Sequence, residues 1–98
     1  MTTKNHIIMT IRAHKEELLK YGVQRVGLFG SYARGNHSAT SDIDILIDFE
    51  DDKESYDNLM AAYDLFENMF ENQQVDIVTK NGLSPYIGPK ILQEVLYV

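Results

Sequence analysis

Acidic and aliphatic side chains alternate along residues 42–48, which read Asp-Ile-Asp-Ile-Leu-Ile-Asp. Successive side chains on a β-strand point to opposite faces, so a period of two predicts a strand whose two faces differ. Asp42 and Asp44 share one face of this strand, and the intervening isoleucines point the other way, into the core. The chain is therefore expected to build a sheet that carries a pair of carboxylates opposite its core face.

Periodicity also predicts the other elements. Apolar residues recur at helical spacing in residues 3–21 and again in residues 56–70, which predicts two amphipathic helices. Residues 25–29 and 75–79 are short and rich in β-prone side chains, so they are expected to be strands. Helices and strands thus alternate along the chain.

A last helix is expected near the end of the sequence. Ser84-Pro85 has the residue types of an N-cap followed by a first helical residue. The buried side of this helix is expected to contain Ile87, Ile91, Leu92 and Val95. Together with the preceding elements, this pattern predicts an α/β (α+β) fold, in which helices flank a small mixed β-sheet.

Size and composition limit the protein class. The chain has 98 residues, 44% of them hydrophobic, and no repeat or linker divides it, so residues 1–98 are expected to form a single domain. Nine Lys and Arg against 15 Asp and Glu give a net charge of −6, which argues against direct nucleic-acid binding. The sequence has no cysteine and no apolar stretch of membrane-spanning length, so a cytoplasmic location is expected.

Three features with chemical potential occur at strand ends or inside strands. Gly30-Ser31 follows the first strand, Asp42 and Asp44 begin the second, and Asp76 lies inside the third. Two carboxylates on one face repel each other, and a divalent cation offsets that repulsion. Oxygen ligands favour Mg²⁺, which is usually held by one or two carboxylates together with substrate phosphates and waters.

If the third strand pairs beside the second, Asp76 joins the other two carboxylates and two metal ions become possible. Gly30 lets the backbone approach a phosphate, and Ser31 supplies an N–H group and a hydroxyl. Structural alternatives remain open at this point: Asp42 as a cap or turn residue, Asp44 as an exposed strand residue, and Gly-Ser as an ordinary loop dipeptide.

The spacing of these residues is specific. Ten residues, 32–41, separate Gly30-Ser31 from the Asp42-x-Asp44 pair. This pattern resembles the signature of the DNA polymerase β-like nucleotidyltransferase superfamily, and the surrounding sequence is similar to that of its minimal nucleotidyltransferase branch. The stretches that carry the likeness are 28–35, 41–46, 75–78, and 91–97, the last of which looks like the family's C-terminal helix.

The resemblance implies a role for each matching residue. Gly30 and Ser31 would contact the triphosphate, Asp42 and Asp44 would bind both Mg²⁺ ions, and Asp76 would bind the catalytic one. The co-substrate would be ATP, and the fold would be the polymerase β-like nucleotidyltransferase core.

Four further polar residues need an interpretation. Arg34 is either a phosphate contact or a partner in an exposed salt bridge. His6, His14 and His37 have no spacing typical of a zinc site, and an ordinary loop histidine is favoured over a nucleotide contact for His37. All three histidines are excluded from the predicted site.

The minimal branch also implies a biological role. It is similar to the antitoxin half of toxin–antitoxin modules, whose other half is a HEPN-domain ribonuclease. The implied reaction transfers AMP to a tyrosine hydroxyl of that toxin, and the two proteins are expected to form a hetero-oligomer. The chain ends about where the catalytic core ends, so a separate protein is expected to supply the acceptor. Two alternatives remain: a nucleotidyltransferase acting on a small molecule or RNA, and a non-catalytic antitoxin that inhibits by binding.

Overall fold

A four-stranded mixed sheet lies at the centre of the protein, whose computed structural model describes residues 2–98. The strands are β1 (Val23–Phe29), β2 (Ile43–Phe49), β3 (Val75–Thr79) and β4 (Leu96–Tyr97). Their order in the sheet is β3-β2-β1-β4. β2 pairs in parallel with β3 and antiparallel with β1, which in turn pairs antiparallel with β4. β2 is therefore hydrogen-bonded on both sides.

Within residues 2–98, five helices accompany the sheet: α1 (Lys4–Ala13), α2 (Lys15–Lys20), α3 (Gly30–Arg34), α4 (Tyr56–Met69) and α5 (Gly88–Glu94). A short 3₁₀ helix, Lys80–Gly82, follows β3. The parallel pairing of β2 and β3 requires a crossover connection, and α4 lies within it. The predicted α/β fold, a small mixed sheet flanked by helices, is confirmed.

The core joins one face of the sheet to the helices. Ile43, Ile45 and Ile47 of β2 are fully buried, as their alternation with the acidic residues predicts. They pack in one cluster with apolar side chains from α1, α2, α3 and α4. The members contributed by the helices are Ile7, Ile11, Leu18, Tyr32, Ala62 and Phe66.

The predicted first helix is divided in two at His14. The Nδ1 atom of His14 lies 2.8 Å from the carbonyl oxygen of Thr10, which is the acceptor that a continuous helix would offer to the His14 N–H group. That N–H group donates to Ile11 instead. The side chain thus competes with the backbone, and the helix is interrupted at His14, whose φ and ψ angles are −110° and 12°.

The C-terminal part differs most from the prediction. The Ser84 hydroxyl accepts hydrogen bonds from the N–H groups of Tyr86 and Ile87, but it closes a turn, and α5 begins only at Gly88. Of the four apolar residues predicted to be buried, Ile91 is buried, whereas Ile87 and Leu92 are 56% and 40% exposed.

The predicted helix over residues 91–97 was therefore wrong beyond Glu94, because the chain becomes extended there and pairs with β1 as β4. This pairing places Leu96 opposite Leu28 and Tyr97 opposite Gly27. None of the helices within residues 2–98 has both the length and the apolar character needed to cross a membrane.

Candidate active site

The sheet register brings the predicted site residues to the same end of the sheet. The parallel pairing of β2 with β3 sets Asp44 directly opposite Asp76. The antiparallel pairing of β2 with β1 sets Asp44 opposite Phe29, the residue before Gly30. Asp42 immediately precedes β2, so the Gly-Ser turn and the three carboxylates lie at or near the ends of neighbouring strands.

Gly30 lies against Asp44 in a conformation that suits glycine. Its φ angle is +74°, in the left-handed region that residues with a Cβ atom rarely adopt. A Cβ atom at this position would overlap the Asp44 carboxylate and lie 2.9 Å from its Cγ atom. The absence of a side chain on Gly30 therefore permits the backbone of the turn to approach this carboxylate.

The carboxylates influence one another's ionisation. Burial, followed by the negative charges of Asp76 and Asp42, raises the pKa of Asp44 to about 6, although the positive charge of Arg34 acts in the opposite direction. The pKa of Asp42 is also raised, by loss of hydration and by the charge and hydrogen bonding of Asp76. The site thus concentrates negative charge beyond what Arg34 compensates.

Asp48 provides a comparison on the same strand. It lies on the same side of β2 as Asp42 and Asp44, and it is 8% exposed. Its Oδ2 atom lies 3.4 Å from Nη2 of Arg25 and 4.0 Å from Nζ of Lys80. Asp48 is therefore a buried acid with two cationic neighbours, which is the ordinary way for a protein to accommodate such a group.

The donor set of the site fits a divalent cation. Burial and the neighbouring charges raise the pKa of Asp42 and of Asp44, so a hard cation would stabilise the ionised group, and Mg²⁺ prefers oxygen ligands of this kind. Among residues 2–98, however, no three His, Cys, Asp or Glu side chains already converge as closely as the ligands of a bound ion do. Asp42, Asp44 and Asp76 are neighbours rather than a finished ligand cage.

Arg34 forms a salt bridge, which is one of the two interpretations that the sequence left open. Its Nη1 atom lies 3.0 Å from Oε2 of Glu94, at the end of α5. The other carboxylate oxygen of Glu94 accepts a hydrogen bond from the Gly30 N–H group, with a donor–acceptor distance of 3.3 Å. Sequence reasoning assigned no role to Glu94, because nothing local marks an acid in a C-terminal helix as a neighbour of Gly30.

The loop between the two halves of the sequence motif is anchored from inside. The ring of His37 stacks on that of Tyr32, with centroids 4.2 Å apart and planes 16° from parallel. The Tyr32 hydroxyl accepts a hydrogen bond from Gln73, just before β3. His37 is thus half-buried and packed, in contrast to the ordinary loop histidine expected from the sequence.

The chain resembles known proteins along most of its length. Residues 11–98 match the family model described as the nucleotidyltransferase domain. The protein adenylyltransferase MntA of Thermococcus cleftensis is 39% identical over 101 residues, a match that covers 100% of this chain and 98% of the relative.

Two solved structures have the same fold. One, described provisionally as a minimal nucleotidyltransferase, is 33% identical with a TM-score of 0.70, and the match covers 90% of this chain and 92% of the other. The second is a toxin–antitoxin structure with AMP-PNP, with a TM-score of 0.67 and coverage of 98% of this chain and 72% of the other. It is 22% identical, so this second likeness shows the fold alone.

Proposed function

Because this chain belongs to the nucleotidyltransferase domain family, we propose that it transfers AMP from ATP to a tyrosine hydroxyl of a HEPN-domain ribonuclease toxin. In this proposal the protein is the antitoxin of that ribonuclease, forms a complex with it in the cytoplasm, and requires Mg²⁺. The name of the relative from Thermococcus cleftensis, a protein adenylyltransferase, supports a protein as the acceptor. The toxin–antitoxin structure with AMP-PNP supports the toxin partner and an adenine nucleotide.

The observation that most supports this chemistry is the register of the sheet around Gly30. Asp44 and Asp76 lie opposite each other on parallel strands, and the Gly30 backbone lies against Asp44. A backbone N–H group that can donate a hydrogen bond to a phosphate thus lies next to two carboxylates that can bind a cation. Such an arrangement suits a triphosphate bound together with a cation, because the positive charge of the cation offsets the negative charges of the phosphates and of the carboxylates.

We assign the cation to Asp42, Asp44 and Asp76, and the phosphates to Gly30 and Ser31. When bound, Mg²⁺ supplies charge that screens the triphosphate and lowers the pKa of an acceptor hydroxyl. The N–H group of Gly30 and the hydroxyl of Ser31 orient the phosphates.

Arg34 is the further phosphate contact in this proposal. A guanidinium group can donate two hydrogen bonds in the geometry that phosphate oxygens accept. Its present salt bridge with a carboxylate does not disqualify it, because carboxylate and phosphate oxygens use the same donors.

The reaction forms one bond and breaks one. The tyrosine oxygen attacks the α-phosphorus of ATP, the bond between that phosphorus and the bridging oxygen of the β-phosphate breaks, and pyrophosphate leaves. The hydroxyl proton is released to solvent. The acceptor then carries AMP in phosphodiester linkage, a mass gain of roughly 329 daltons for each transfer.

Intact-mass measurement of the purified HEPN partner, incubated with this protein, ATP and Mg²⁺, tests the proposal. We expect the increment on the partner and expect Asp42→Asn to abolish it, because the carboxylate that binds the cation is lost. Asp51→Asn is the matched control, since Asp51 is an exposed turn residue and its replacement removes the same charge. Peptide mapping should place the adduct on tyrosine.

Two other outcomes would redirect the assignment. A partner that is inhibited without any gain in mass would identify a non-catalytic antitoxin that acts by binding. A partner that is neither modified nor inhibited, despite ATP binding by this protein, would favour a small molecule or RNA as the acceptor.

A further inference from the structure

The Glu94 carboxylate contacts the same hydrogen-bond donors that the proposed function assigns to phosphate. Its Oε1 atom accepts a hydrogen bond from the Gly30 N–H group at 3.3 Å. Its Oε2 and Oε1 atoms lie 3.0 and 3.3 Å from Nη1 of Arg34. One carboxylate therefore binds a backbone donor and a guanidinium donor at the same time.

The geometry of these contacts is that of an anion site already filled by the protein itself. A carboxylate and a phosphate group both present several negative oxygens, and Arg34 binds either through charge-assisted hydrogen bonds. The Glu94 side chain is 23% exposed and that of Arg34 is 49% exposed, so both can move into solvent without leaving a buried charge. Glu94 is also the last residue of α5, where the chain departs from the helix.

We propose that Glu94 is an internal competitor for the nucleotide: its carboxylate holds Gly30 and Arg34 in the free protein, and ATP binds by displacing it. This inference depends on the proposed function for the identity of the ligand. The displacement lowers the apparent affinity for ATP, because the loss of the Glu94 contacts offsets part of the free energy gained when ATP binds. After transfer, the carboxylate returns to the same donors as pyrophosphate leaves.

Calorimetric titration with ATP in the presence of Mg²⁺ tests this idea in the full chain. Glu94→Gln keeps the size of the side chain and removes its charge, so we expect the dissociation constant for ATP to fall about two- to fivefold, the range for loss of one partly exposed ion pair. Glu94→Ala should shift the affinity in the same direction. In an Arg34→Gln background the gain from Glu94→Gln should become smaller, because the guanidinium for which the two anions compete is absent.

Glu17→Gln is the control for net charge. Glu17 is an exposed residue of α2, which precedes β1, whereas Gly30 follows β1, so the length of this strand separates them. This variant loses the same charge, and we expect its affinity for ATP to match the wild type. An equal gain in Glu17→Gln and Glu94→Gln would overturn the inference, since it would indicate a general charge effect.

The two proposals fail in different ways. A wild-type protein that does not bind ATP with Mg²⁺ contradicts the proposed function, and the present inference falls with it. A wild type that binds, together with a Glu94→Gln variant of unchanged or weaker affinity, contradicts only the role of Glu94. In that case a lowered melting temperature would identify Glu94 as a purely structural link between α5 and α3.

Discussion

Gly30 and Asp44 constrain each other's position in the candidate site. The carboxylate occupies the space where a side chain on Gly30 would begin, and the left-handed backbone of Gly30 turns the chain from β1 into α3. A larger side chain at Gly30 would therefore displace the Asp44 carboxylate. Gly35 offers a natural comparison, since its φ angle is +81° but nothing lies within 4 Å of its hypothetical Cβ atom.

Replacement of Gly30 by alanine should destabilise the protein more than replacement of Gly35. Both variants force a Cβ atom into a left-handed conformation, which costs about 1 to 2 kcal/mol. Gly30→Ala adds the overlap with Asp44, for which overpacking costs about 1 to 3 kcal/mol more. Urea unfolding measures the difference. Equal losses in the two variants would mean that Asp44 moves aside without cost.

The raised pKa of Asp44 predicts a pH dependence of stability in metal-free buffer. Its pKa is about 6 in the folded protein against an ordinary value of 3.8, so the folded state binds more protons than the unfolded state between these values. The free energy of unfolding should therefore fall as the pH rises from about 4 to about 6, and this contribution should change little above that range. Unfolding titrations in EDTA at several pH values measure the effect.

Asp44→Asn serves as the reference for that measurement. The variant lacks the titrating group, so the difference in stability between wild type and variant should follow the titration of Asp44. Above pH 6 the variant should be equal to or slightly more stable than the wild type, because it is free of carboxylate repulsion. Parallel pH profiles for the two proteins would contradict the assigned origin of the shift.

The sequence predicted part of this site for a simple reason. A period of two places Asp42 and Asp44 on one face of a strand whatever the rest of the fold does. The position of Asp76 depended on which strands pair, and the parallel register that sets it opposite Asp44 is a tertiary property. The contacts of Glu94 with Gly30 and Arg34 join residues 60 or more positions apart, so no local pattern could have revealed them.

At the scale of helices and strands, the errors have local causes that periodicity does not detect. The helical pattern of residues 3–21 continues through His14, but a single side-chain contact with the Thr10 carbonyl ends α1 there. β4 has two residues, too few for any alternation to be visible, and the absence of a side chain on Gly27 leaves space for the side chain of Val95, which immediately precedes β4. The long elements, in contrast, carry enough apolar positions to be recognised from the sequence.

The N-cap of α4 offers a test at this scale. The Ser55 hydroxyl accepts a hydrogen bond from the N–H group of Asn58, and the helix that it caps carries Phe66 into the core. Ser55→Ala should reduce the free energy of unfolding by about 1 kcal/mol. Ser84→Ala is the control, because Ser84 closes a turn outside α5, and its replacement should cost less in the same urea titration.

For the molecule as a whole, the sheet separates the apolar residues of the core from the acidic residues of the candidate site. The helices α1, α2 and α4 join the isoleucine face of β2 in one core, while the acidic residues lie on the opposite face or at the strand ends. The net charge of −6 is unevenly distributed: Asp48 has cationic neighbours within the fold, whereas the proposed cation site concentrates negative charge around Asp44. Asp42 and Asp44 can be changed without removing a core contact.

The position of β2 between two strands has a consequence for motion. Its amide groups are held by pairing on both sides and by burial, so their hydrogen exchange should require unfolding of the entire domain. α5 is short and mostly exposed, and it should exchange through local opening that is many times faster. Exchange measured by mass spectrometry should show this difference, and equal protection would exclude it. Glu94 could then leave Arg34 by fraying of α5, while the carboxylate on β2 keeps its place through many such openings.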